Sequence, residues 1–142
     1  MEGNGKVVRE ADRFRVLLDM VSIAIVVVDR RGKIVLVNKQ TEQLFGYERE
    51  ELLGREIELL VPQRVREMHR QQREQYFVNP KIRLMGQGLD LYGLRKNGTE
   101  FPIEIGLSPF QTEDETLVSS AISDITERKK VESERNFLSV LT

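Results

Sequence analysis

The segment Lys96-Asn97-Gly98-Thr99, followed at once by an alternating run, constrains this chain more than any other feature. Phe101, Ile103, Ile105 and Leu107 alternate with Glu100, Pro102, Glu104 and Gly106. A period of two places the apolar set on one face of a strand and the carboxylates in water. Asn-Gly readily adopts the two positive φ values of a type I′ turn, which predicts a tight hairpin entering this strand. Gln111 to Glu115 then reads as an acidic loop, and Leu117 to Ile125 as a final strand.

The N-terminal half carries a second hairpin signal. Ile23 to Val28 and Lys33 to Val37 are apolar and β-branched, and Asp29-Arg30-Arg31-Gly32 joins them. Between the hairpins lie Thr41 to Tyr47, a short helix stopped at Gly46, a brief turn at Glu50 to Leu53, and Ile57 to Val61 ending at Pro62. Gln63 to Phe77 is the longest internal helix, with Val65, Met68, Gln72 and Tyr76 spaced 3, 4 and 4 apart. Asn79-Pro80 breaks it, and Ile82 to Leu94, with Gly86, Gly88 and Gly93, reads as a bent strand. Two strands, short helices, a longer helix and three strands make an α+β layout, one antiparallel sheet with helices on one face.

Both ends extend this core. Val7, Ala11, Phe14, Leu18 and Val21 recur at helical spacing, and Glu127 to Leu141 is a charged helix in which Val131, Leu138 and Leu141 share a stripe. The division expected is residues 1–21 as an amphipathic lead-in helix, 22–126 as the core and 127–142 as the start of an outgoing connector. The leading stripe either folds back on the core or pairs with a second copy, since two heptads are too few to decide. The outgoing stripe still runs at Thr142, as expected of a piece of a longer protein.

Composition narrows the function. Twenty-two basic and twenty-three acidic residues nearly cancel, so the field that draws proteins to nucleic acid is missing. The absence of cysteine removes disulfides, thiolate metal sites, cysteine nucleophiles and photochemical cysteine adducts. The longest apolar run, Val21 to Val28 but for Ser22, falls well short of the roughly 20 residues of a membrane helix, and the polar start lacks a secretory signal. No membrane contact and a cytoplasmic setting are expected. With one histidine and scattered carboxylates, no catalytic constellation assembles, and the chain is not expected to be an enzyme, whatever output a parent protein carries.

Several ordered motifs match a known family. They are Asp29-Arg30-Arg31-Gly32 with Val37-Asn38, Leu44-Phe45-Gly46-Tyr47 with Glu51-Leu52-Leu53-Gly54, and Val61-Pro62, then Arg95-Lys96-Asn97-Gly98-Thr99-Glu100-Phe101-Pro102 and Asp124-Ile125-Thr126-Glu127-Arg128. From about Phe14 to Arg128 the chain resembles PAS domains, the sensory modules of bacterial-type signalling proteins. The resemblance implies a five-stranded sheet in the order 2-1-5-4-3, a hollow between sheet and helices, and terminal helices that pass signals to a covalently linked output domain. It makes Asp124 and Thr126 the junction through which core changes leave. A homodimer through the terminal helices, whose apolar stripes would pair, is the expected assembly.

The apolar residues on inward faces would line that hollow: Met68 and Tyr76 on the long helix, Met85 and Leu91 on the third strand, and Ile103 and Ile105 on the fourth. Val118, Ser120 and Ile122 complete the set on the fifth. The same side chains would equally pack a filled core. No cofactor is the first expectation. The alternative is a haem-based gas or redox sensor, because His69, seven residues after Pro62, resembles in position the axial histidine of oxygen-sensing haem PAS domains. Against that, Leu89 stands about where those sensors place an arginine, and His69 is equally a non-ligand histidine among polar neighbours. A flavin lacks both the cysteine and the tryptophan it usually meets.

Overall fold

The computed structural model describes residues 13–85 and 90–141. The first part of the leading stripe, Val7 and Ala11, and the strand positions Gly86, Gly88 and Leu89 lie outside the described residues. The helices are α1 (residues 13–20), α2 (Lys39–Phe45), α3 (Arg49–Leu52), α4 (Arg66–Val78) and α5 (Thr126–Leu141), with 3-10 turns at Ile57–Leu60 and Gln63–Val65. The strands are β1 (Ala24–Val28), β2 (Ile34–Val37), β3 (Arg83–Met85), β4 (Leu91–Leu94), β5 (Glu100–Gln111) and β6 (Thr116–Asp124).

All pairings are antiparallel, in the order β2-β1-β6-β5, with β3 and β4 both on the free edge of β5. The expected five-strand order is therefore present, with its third strand in two pieces. Met85 faces Ile105 and Leu91 faces Ile103, so six steps along one chain match two along the other. The two long strands run side by side as the alternation requires, with Ile105 opposite Ile122 and Leu107 opposite Ser120.

The turn at Asn97-Gly98 is not type I′. Among the described residues no non-glycine has positive φ, and only Gly98 is left-handed there, at φ 90°. Gly98 N donates to Arg95 O at 2.9 Å and Arg95 N to Thr99 O at 2.9 Å, which makes a three-residue loop closed by a glycine bulge. The reason is steric: this loop asks a single residue to be left-handed, and glycine takes it at no Cβ cost, whereas I′ would force Asn97 there too. Asn97 Oδ1 instead accepts from Thr99 N at 3.0 Å and from its hydroxyl at 2.7 Å. Asp29 to Lys33 repeats this loop, with Gly32 N on Asp29 O at 2.9 Å, Asp29 N on Lys33 O at 3.0 Å and Gly32 at φ 78°.

One core cluster lies between sheet and helices, and Val26, Phe45, Leu52, Phe77, Phe101, Ile103, Val118 and Ile122 belong to it. Burying each of these side chains contributes about 1.5–3 kcal/mol. Asn38, which entered the sequence reading only as part of the Val37-Asn38 motif, is a buried hub. Its Oδ1 accepts from Ile25 N at 2.9 Å and caps α2 at Thr41 N, while Nδ2 donates to Ile23 O at 2.9 Å and Leu18 O at 3.2 Å. One side chain thus joins α1, β1 and α2 with its polar atoms satisfied, as a buried amide must be.

Candidate functional site

The inner face of the sheet carries most of the residues expected to line a hollow. Ile103, Val118, Ser120 and Ile122 are buried, and Tyr76, Leu91 and Ile105 pack partly buried against the core. Met85 is half-buried on β3. Met68 is not inward, being 54% exposed. The spacing from Val65 misled because α4 begins only at Arg66 and its core residue is Phe77. At about 100° per residue, the nine steps from Met68 to Phe77 put the two on opposite sides of the helix.

Arg73 and His69 flank the inner edge of α4 and meet a carboxylate that sequence reasoning missed. Glu58, in the first 3-10 turn, is 1% exposed. Arg73 Nε and Nη2 donate to its two oxygens at 3.1 and 3.0 Å, and His69 Nδ1 lies 2.5 Å from Oε2. Burial would raise the Glu58 carboxyl, but hydrogen bonds from His69 and Arg73, with their charges, outweigh it and hold it at about 2. An ionised carboxylate only accepts, so Nδ1 of His69 is the donating nitrogen. The available signal was the lone charge inside Ile57-Glu58-Leu59-Leu60.

This arrangement bears on the haem alternative. A carboxylate on one ring nitrogen is how ligating histidines are commonly oriented, so the donor chemistry of His69 suits an axial ligand. The surroundings do not suit the group in this packing: Phe77, not His69, is the α4 residue buried in the core, beside Phe45, Phe101 and Ile103. Among the described residues, no group of three or more His, Asp or Glu is placed to hold a metal ion.

The junction after β6 is tightly built. Asp124 Oδ1 accepts from Thr126 N at 2.9 Å and from its hydroxyl, capping α5, while Arg95 Nη2 reaches Asp124 Oδ2 at 3.3 Å. Arg95 also donates to Leu44 O at 3.1 Å and lies 4.0 Å over the Phe101 ring, which itself meets Phe45 at 5.4 Å between centroids. The single residue between strand and helix, Ile125, is buried. Core aromatics, the end of α2 and the start of α5 therefore share one guanidinium.

The outward faces of the terminal helices are apolar. Phe14, Leu17 and Met20 on α1 are 59%, 63% and 73% exposed, and Phe137 and Leu138 on α5 are 65% and 61% exposed. No helix among the described residues is long and apolar enough to cross a membrane.

Comparison with known proteins places this geometry. Sensor protein FixL of Bradyrhizobium diazoefficiens is 27% identical over 84% of the chain, which spans 24% of that protein. Oxygen sensor protein DosP of Escherichia coli is 25% identical over 70% of the chain, which spans 12% of it. The PAS domain of an HTR-like protein from Haloarcula marismortui superposes with a TM-score of 0.71 at 20% identity, covering 87% of this chain and 98% of that one. The family model described as PAS domain matches residues 22–127, from β1 through the junction at Thr126, and the chain belongs to the PAS domain family.

Proposed function

We propose that this PAS domain is a sensory and protein-interaction module that passes ligand or partner state to an output domain through its terminal helices. The observation that supports it most is the junction, where Asp124 caps α5 and is tied through Arg95 to Phe101 in the core. A change on the inner face of β5 and β6 reaches α5 without an intervening loop. Tyr76, Met85, Leu91, Ile103, Ile105, Val118, Ser120 and Ile122 are the wall such a ligand would meet, with Ser120 its polar contact. The exposed apolar faces of α1 and α5 are the surfaces through which two copies would pair, and a shift between two pairing geometries is the signal. Analytical ultracentrifugation tests this: the parent chain sediments as a dimer, and Leu17→Glu with Phe137→Glu sediments as a monomer. A parent chain that stays monomeric at high concentration would end the pairing part of the proposal.

A second reading, a haem-based sensor with His69 as axial ligand, is favoured by the carboxylate already held on its Nδ1. It requires α4 to repack. A visible spectrum of the chain with added hemin decides it, because an absorption band lost in His69→Ala supports the reading and a spectrum the same in both chains removes it.

A further inference from the structure

A cleft of about 210 Å³ opens on the outside of the domain, away from the inner face of the sheet, where the first 3-10 turn meets the start of α4. Its charged walls are Lys33, Arg55, Arg66, Arg70, Glu56 and Glu58. Glu58 is taken up by Arg73 and His69, and Glu56 by Arg70 at 3.0 Å. Arg66 is fixed without being neutralised, since its guanidinium donates to the carbonyls of Val61 at 2.9 Å and Leu59 at 3.4 Å. Among the described residues neither Lys33 nor Arg55 has a carboxylate partner. Three cations without an ion pair of their own therefore line one concave site, where the two carboxylates are already engaged by other side chains, on a protein whose net charge is only −1.

We infer that this cleft binds a phosphate group. A tetrahedral dianion satisfies several cations at once, guanidinium forks pair with its oxygens in bidentate fashion, and the lysine adds a point charge. Arg66, held from behind by two carbonyls, is already oriented, which lowers the ordering cost of binding. The phosphate would sit against the turn that carries Glu58, so its occupancy would bear on how that turn holds α4.

The test is an amide NMR titration of the full 142-residue chain at fixed ionic strength. The probes are inorganic phosphate, glycerol phosphate, and phosphatidylcholine vesicles with and without phosphatidic acid. The expected result is saturable shifts centred on Gly54 and Arg55, with affinity weakened at least about tenfold in Lys33→Gln/Arg55→Gln. Arg55→Gln alone, at an exposed position, serves if the double variant does not fold. Saturation by either soluble probe names a free phosphate or an ester as the source, and binding confined to the phosphatidic acid vesicles names a lipid headgroup. Shifts that sodium chloride reproduces at matched ionic strength, or full binding by the variants, overturn the inference.

Discussion

The two hairpin turns, Asp29 to Lys33 and Arg95 to Thr99, use one backbone solution and live in different surroundings. Both close through a left-handed glycine, and both are braced by a side-chain oxygen at the first or third position, Asp29 Oδ1 on Arg31 N and Lys33 N, Asn97 Oδ1 on Thr99 N. Around Gly98 there is open space, and its turn reaches outward through Lys96 to Glu51 and Phe45 O, and through Arg95 to Asp124. Around Gly32 there is none. Its carbonyl accepts from Ile57 N at 2.8 Å, and the Arg73 guanidinium lies where a side chain would begin. The local code is the same, and the neighbours decide what each turn tolerates.

The sharpest way to break this contrast is to remove the buttress. Arg73→Ala leaves Glu58 buried and short of its main partner, and is expected to cost about 3–5 kcal/mol in urea unfolding. A loss below about 1 kcal/mol would mean that the pair does not hold the near turn.

Acid tests the same buttress without mutation. An unfolded glutamate titrates near 4.5 and Glu58 in the fold at about 2. A depressed folded value means that the contribution is whole above pH 4.5 and is lost as the pH falls toward 2. The loss is on the order of 3 kcal/mol, and Glu58→Gln should flatten that part of the stability profile. An unchanged slope in the variant would assign the acid sensitivity to other carboxylates.

The glycines give the smallest effect and the most discriminating comparison. Gly98→Ala is expected to cost about 1 kcal/mol, the strain of a left-handed alanine. Gly32→Ala should cost about twice that or more, because the new methyl displaces a guanidinium pinned to Glu58. In the Arg73→Ala background the Gly32 penalty should fall to the Gly98 value, a coupling that a double-mutant cycle reads directly. Additive costs would show that the crowding at Gly32 carries no energy.

What the sequence made legible follows from range. The hairpins, the alternation of β5 and the position of α5 are encoded in neighbours a few residues apart, and the ordered motifs supply the sheet order. The turn type escaped because Asn-Gly serves two loops that differ in one residue's φ, and the choice lies with Thr99 and Arg95. Met68 escaped because the residue α4 buries is Phe77, and nine steps of about 100° put Met68 on the opposite side of the helix although Tyr76 of the same stripe meets the core. The Glu58, His69 and Arg73 cluster joins residues 11 and 15 apart across a break between two helical segments, a pairing no periodic pattern encodes. Whether the inner face encloses a ligand depends on packing among strands far apart in the chain, and composition is silent there.

The buried residue between β6 and α5 leaves no slack in the outgoing connection. At about 1.5 Å per residue the 16 residues of α5 extend for roughly 24 Å. Pivoting that rod by about 10° at Ile125 sweeps its far end through about 4 Å, roughly three quarters of the 5.4 Å advance of one helical turn. Under the proposed function, small adjustments of strand twist would be geared up into displacements large enough to change the meshing of one helix with another.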